Sequence, residues 1–250
     1  MDAAQALGHG PLWVEENPGA PREDQRGTDP RASDASADRG HSTTLSNTPT
    51  DCDNAIPCDF LAFSAHKLHG LTGIGGLWCS ERAFDTMVPT LGGGGMIERV
   101  TLEGFSAAPG AAAFEPGTPA IAAAVAMDAA LSYLEALGLE QVRRHGESLC
   151  AQAVQELRKL PGVRILGDPD LARSSLVSFA LDGAHPHDVS EWLSVRDVMV
   201  RAGHHCAMPL HTALGVRASL RASFGVHCGS ADVHRLVEAV REIAEGAAAR

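Results

Sequence analysis

Aromatic side chains are scarce in this sequence, 4% of its 250 residues, so Ala, Val and Leu have to build most of the core. Positive charge is in deficit. A formal net charge of −11 at pH 7 excludes the basic footprint of a nucleic-acid-binding protein and opposes docking on an acidic membrane surface. No apolar run approaches the length of a membrane span, and the N-terminus lacks the basic-then-apolar order of a secretory signal. A cytoplasmic location is expected. The six cysteines, at 52, 58, 79, 150, 206 and 228, are too dispersed for a disulfide scaffold, and no pair has the close spacing of a structural zinc site. In a reducing compartment most of them act as small buried hydrophobes, so a reactive one needs a local reason.

Large apolar residues are missing altogether from residues 15–44, which contain no Leu, Ile, Val, Phe, Met, Trp or Tyr. Such a stretch cannot bury enough surface to offset the ordering of its backbone, and it reads as a disordered insertion over 15–53. Residues 1–14 read as a structured segment ahead of it. From residue 55 the pattern becomes α/β. Asp59–Ser64 and Gly75–Cys79 read as short strands around a Gly-rich turn. The spacing predicts a helix over Ala120–Leu137 that buries Val125, Ala129, Leu131, Leu134 and Leu137, and a second helix over Glu140–Leu160 stopped by Pro161-Gly162. Strands are expected at Val163–Leu166, Ser175–Leu181, Val198–Ala202 and Ala218–Phe224, with helices near His187–Leu193 and over Ala231–Ala244. The resulting expectation is the remainder of a larger domain over 54–135, followed by a small α/β domain over 136–250.

Two stretches carry chemistry. Ser64-Ala65-His66-Lys67 follows a strand and precedes a glycine-bearing turn. A lysine at a strand end can form a Schiff base while neighbouring Ser and His side chains hold a phosphate, although a strand-end lysine is also a common solvated residue. Arg201-Ala202-Gly203-His204-His205-Cys206-Ala207-Met208-Pro209 places a cysteine after an arginine and two histidines, a setting that favours a reactive thiolate. A metal site, with His211 and His227 supplying further ligands, is the competing reading. Arg221, in the strand-like SLRASF, can grip a carboxylate in a bidentate fork or form a surface ion pair.

DFLAFSAHKLHGLTGIGGLW, FEPGTPA and RAGHHCAMPL, in that order, resemble the group II cysteine desulfurases and the related selenocysteine lyases. These belong to the class V aminotransferase branch of the fold-type I pyridoxal-phosphate enzymes. The resemblance covers roughly residues 55–245. It implies that Lys67 carries pyridoxal 5′-phosphate, that Ser64 and His66 bind its phosphate, and that Thr118 reaches the cofactor of the partner subunit in a homodimer. It further implies that Arg221 holds the substrate carboxylate and that Cys206 accepts sulfur. Asp2-Ala3-Ala4-Gln5 resembles the family's Asp-x-x-Gln segment, in which Asp2 would pair with the pyridinium nitrogen and Gln5 with the ring hydroxyl.

The implied reaction converts L-cysteine to L-alanine, leaves a persulfide on Cys206 and passes the sulfur to an acceptor protein for iron–sulfur cluster assembly. Selenocysteine lyase and a non-catalytic binding partner are the alternatives. Three departures stand out. Residues 15–53 separate Asp2 from Lys67, which lie close together in the family. The sequence starts at the Asp motif, so the first half of a family member is expected to be absent. His227-Cys228 stands where the family has an aromatic residue and Asn, which makes Cys228 the rival of Cys206.

Overall fold

The computed structural model describes residues 14–15, 56–170 and 174–248. Asp2, Gln5 and nearly all of the expected insertion lie outside them. The described residues divide into two units: 14–15, 56–62 and Gly76–Pro119 in the first, Phe63–Gly75 and 120–248 in the second.

In the first unit, β1 (Val14–Glu15) runs parallel to β2 (Ile56–Pro57). Next, β3 (Phe60–Ser64) and β4 (Gly75–Cys79) pair as a two-stranded sheet, and the unit boundary falls within both strands. Both match the strands read from the sequence to within a residue. Ser80 caps α1 (Glu81–Phe84): its hydroxyl accepts from the Ala83 N–H at 3.2 Å and donates to Asp59 Oδ1 at 2.9 Å. Arg82 grips the same carboxylate, and these two bonds hold the Asp59 carboxyl below its ordinary value. β5 (Ile97–Val100) and β6 (Phe105–Ala107) form an antiparallel hairpin that the sequence pattern did not reveal.

The second unit is built on two helices joined at Gly138, whose φ of 83° lies in the left-handed region. They are α2 (Ile121–Leu137) and α3 (Leu139–Leu157). Along α3, Val142, Gly146, Leu149, Cys150, Ala153, Val154 and Leu157 recur at helical spacing and form one buried stripe. A four-stranded antiparallel sheet follows, in the order β7 (Val163–Ile165), β8 (Leu176–Leu181), β10 (Ser219–Ser223), β9 (Arg201–Gly203). α3, α4 (Pro186–Ser194) and α6 (Ser230–Ala248) pack against it, and α5 (Met208–Ala213) links β9 to β10. Strand alternation sorts the side chains. Val177, Phe179, Leu181, Leu220 and Ala222 join the helices in the core, which puts Ser219 and Arg221 on the opposite face of the sheet.

Two expectations need correction. The face predicted for α2 is wrong: only Ala130 and Leu134 are buried along it, while Val125, Ala129, Leu131 and Leu137 are exposed. The helix is apolar on almost every side, so periodicity cannot select the side that packs. The strand expected at Val198–Ala202 begins at Arg201 instead. Before that point the chain is still leaving α4: Asp197 has φ 58°, and the Val198 N–H donates to the Leu193 carbonyl at 3.0 Å. Among the described residues no single helix is long and apolar enough to cross a membrane.

Candidate active site

Lys67 lies on a single 3-10 turn, Ala65–Lys67, directly after β3. The turn is tightly closed. Ala65 is fully buried, its N–H donates to the Ile74 carbonyl at 3.0 Å, and its carbonyl accepts from the N–H groups of Leu68 (2.8 Å) and Gly70 (2.9 Å). A Cβ at Gly70 would come within 3.1 Å of the Ala65 side chain and carbonyl, so a larger residue there would have to push the turn open by a few tenths of an ångström. Leu68, buried beside Lys67, packs on Leu134 of α2 and Val142 of α3, with Val226 from the segment after β10 against the same cluster. Packing of its neighbours therefore fixes the lysine backbone. Lys67 as a residue is half-buried, and it forms no ion pair among the described residues. Ser64 is half-buried with its hydroxyl unused as a cap, and His66 is exposed. An amine flanked by a hydroxyl and an imidazole is a donor set suited to an aldehyde-bearing phosphate, so these residues fit pyridoxal phosphate.

Thr118 is exposed in the other unit. Its loop is held by the Gly117 N–H, which donates to the Gly94 carbonyl at 2.7 Å. A Cβ at Gly93 would stand 3.0 Å from that of Pro116, which gives this one glycine of the run a steric reason.

Cys206 sits at the tip of a tight turn between β9 and α5. The Ala207 N–H donates to the His204 carbonyl at 2.8 Å, and the two central residues, His205 and Cys206, have φ of 51° and 59°. Each left-handed non-glycine residue costs on the order of 1–2 kcal/mol, so two in succession need outside support. The turn presents the Cys206 thiol to solvent, whereas Cys150 is buried and Cys58, Cys79 and Cys228 are half-buried. Of the cysteines among the described residues, only Cys150 is fully buried as the expectation of small buried hydrophobes requires.

Arg221 projects from β10 beside this turn. Its guanidinium is half-buried and its Nε is buried without a hydrogen-bond partner. Burial and the charge of Arg201 push its pKa down, while the charge of Cys206 pushes it up. Arg201 lies directly opposite Arg221 in the β9–β10 register. Like charges facing each other across paired strands are unfavourable. Among the described residues no carboxylate pairs with either arginine, so the pair presents uncompensated positive charge beside the thiol. The same surroundings lower the pKa of His205: burial first and Arg221 second, with smaller contributions from His211 and Arg201, against the hydrogen bond to the Ser219 backbone, which raises it.

The structure thus brings Arg221, Cys206, His205 and Arg201 together, and the Lys67 turn belongs to the same unit. Among the described residues no hydrogen bond or ion pair joins the Lys67 and Cys206 turns. Of the two further ligands that the metal reading named, His211 has both ring nitrogens engaged, by Ala207 and Ser219. No group of three or more potential metal-ligating side chains occurs among the described residues. The sequence pattern revealed neither the Arg201–Arg221 opposition nor the bond between Ser219 and His211. Both depend on cross-strand register, which local pattern does not encode.

The family model for class-V aminotransferases matches residues 41–236. Among curated proteins, "Probable cysteine desulfurase 2" of Mycobacterium leprae is 44% identical over 188 residues, covering 75% of this chain and 45% of the relative. A cysteine desulfurase of Haloferax volcanii is 44% identical over 192 residues, 77% of this chain and 45% of the relative. Among solved structures, the cysteine desulfurase CsdA of Escherichia coli aligns with a TM-score of 0.71 at 39% identity, covering 75% of this chain and 46% of that one. The apo cysteine desulfurase of Thermococcus onnurineus NA1 has the same TM-score and identity, covering 76% and 48%. The chain spans about half the length of the relatives it matches.

Proposed function

The chain belongs to the aminotransferase class-V family, and from that footing we propose that it is the Lys67- and Cys206-bearing part of a pyridoxal-phosphate-dependent cysteine desulfurase of group II. The observation that carries this reading is the unpaired, half-buried Arg221 beside an exposed Cys206 turn.

Lys67, Ser64 and His66 would hold the cofactor, joined by Asp2 and Gln5 and by Thr118 from the partner of a homodimer. Bound there, pyridoxal phosphate supplies an electron sink for negative charge at the substrate α-carbon. Arg221 takes the carboxylate of L-cysteine into the bidentate geometry its guanidinium offers. The ε-amine of Lys67 accepts the α-proton as general base. The Cys206 thiolate then attacks the substrate sulfur. A new S–S bond forms, the C–S bond breaks with its electron pair going to carbon, and protonation of that carbon, with return of the α-proton from Lys67, yields alanine. Because Cys206 is exposed on a turn, its persulfide can be handed to a thiol of an acceptor protein, with iron–sulfur cluster assembly as the destination. In this reading residues 54–135 continue the cofactor-binding domain and 136–250 form the small domain. A reducing cytoplasm would keep the acceptor thiol available.

The test is a cofactor-loaded preparation given L-cysteine. Mass spectrometry should find the persulfide on Cys206, and Cys206→Ser should abolish alanine and sulfide release while leaving the cofactor absorbance unchanged. A persulfide on Cys228, or full turnover in Cys206→Ser, would sink the assignment.

One observation favours a second reading, a binding partner without activity of its own. α2 leaves Val125 66% and Ile121 62% exposed, an apolar surface that a folded helix ordinarily covers. Visible absorbance on adding pyridoxal phosphate to the purified chain separates the two.

A further inference from the structure

Cys206 is flanked by two residues that are each tied down. On one side is His205, whose Nε2–H donates to the Ser219 carbonyl at 3.2 Å. On the other is Ala207, whose N–H closes the turn onto His204 and whose carbonyl accepts twice from His211, from the backbone N–H at 3.1 Å and from the side chain at 2.9 Å. A carbonyl can only accept, so His211 Nδ1 carries the proton and donates, and Nε2 is hydrogen-bonded to the Ser219 hydroxyl at 2.9 Å. His211 and Ser219 are both buried, 5% and 1% exposed. Ser219 stands two residues before Arg221 on the same face of β10.

We propose that His211 is a positioning residue. With Ser219 it forms a buried brace that pins the left-handed His205–Cys206 turn to β10 and so holds the thiol beside the guanidiniums of Arg221 and Arg201. The motif around Cys206 does not contain this brace, because His211 lies in the following helix and Ser219 in the following strand. Left alone, two consecutive non-glycine residues would relax out of the left-handed region. The brace opposes that relaxation by fixing the residue on each side of the cysteine. Its value for the reaction rests on the desulfurase reading, since a thiol that must attack a substrate held by Arg221 has to stay in register with that arginine.

The test uses the full chain and needs no cofactor. Cys206 is alkylated in parallel with iodoacetate and with iodoacetamide, and the rates are read by peptide mass spectrometry with Cys228 as internal reference. The thiolate fraction is common to both reagents, so the ratio of the two rates reports the positive potential where the Cys206 sulfur sits. In His211→Ala the ratio at Cys206 should fall about threefold, the effect of moving roughly one unit charge out of close range in water. It should be unchanged at Cys228. His211→Asn, whose Nδ2 can replace Nδ1–H as donor to the Ala207 carbonyl, should recover most of the ratio. A packing role for the imidazole would not be rescued by this smaller amide.

If His211→Ala does not fold, Ser219→Ala cuts the second link alone and should give a smaller fall in the same direction. An unchanged ratio in a folded His211→Ala, or in a folded Ser219→Ala where the first variant fails, overturns the proposal. Where the loaded protein turns over cysteine, kcat should fall in His211→Ala with KM nearly unchanged. A chain that never turns over cysteine refutes the desulfurase reading while the alkylation ratio still decides the brace.

Discussion

Replacing Arg221 by methionine should separate two effects that usually travel together, stabilising the fold while disabling the site. In the native chain the guanidinium is half-buried, its Nε is buried without a partner, and Arg201 faces it across the β9–β10 pair. An unsatisfied buried donor costs about 1–3 kcal/mol, and directly opposed like charges add roughly 0.2–1 kcal/mol. Methionine keeps the length of the aliphatic stem and removes both penalties. The second unit should therefore gain about 1–2 kcal/mol, a rise in Tm of roughly 3–6 °C for a domain of this size. The effect on substrate runs the other way. Loss of charged hydrogen bonds to a carboxylate forfeits about 1.5–3 kcal/mol, which raises KM for cysteine by roughly 10- to 100-fold. Arg221→Lys should also raise KM, because a point charge does not reproduce the fork. Urea denaturation followed by circular dichroism gives the first quantity, and initial rates in a cofactor-loaded preparation give the second. A variant that loses more than about 1 kcal/mol with an unchanged KM would show that Arg221 is structural, and the substrate assignment would fall.

Two further outcomes follow from the same geometry. His205 has a lowered pKa in the fold, from burial and then from Arg221, so the unfolded chain binds more protons below the ordinary histidine value near 6.5. Its contribution to stability is complete above about pH 6.5 and is lost as pH falls toward the lowered folded value. His205→Gln should flatten that part of a stability-against-pH curve, and an unchanged slope would contradict the assignment. Gly146, in the buried stripe of α3, has no room for a Cβ because it would overlap that of Ser175. Gly146→Ala should cost about 1–3 kcal/mol despite alanine's better helix propensity, and Ser175→Gly in the same chain should restore most of it. Lack of recovery in the double variant would place the strain elsewhere.

Much of this site was legible in the sequence, and the residues it could not supply share a cause. Lys67 follows a strand that announces itself through FLAF, and Arg221 lies in a strand whose alternation places Leu220 and Ala222 inward. Cys206 was singled out by local charge, and it lies exposed on a turn. The stripe along α3 was equally readable, because charged residues occupy its other faces. α2 has no such contrast, so its buried side could not be chosen from spacing. The opposition of Arg201 to Arg221 and the bond from Ser219 to His211 are consequences of register between strands, and α5, six residues long, is too short to show a period. Asp2 and Gln5, read from a motif alone, lie outside the described residues.

The central claim is that Lys67 holds pyridoxal phosphate, and the composition of the chain makes it unusually direct to test. Lys67 and Lys159 are the only lysines in the sequence. Lys159 is exposed and paired with Glu156 at 2.6 Å, whereas Lys67 is half-buried and packed at a strand end. The purified chain is mixed with pyridoxal phosphate and reduced with borohydride, and the labelled peptide is identified by mass spectrometry. The account predicts a pyridoxyl group on Lys67, absent from Lys67→Ala. A label confined to Lys159 or the N-terminal amine, or labelling that persists undiminished in Lys67→Ala, would contradict it.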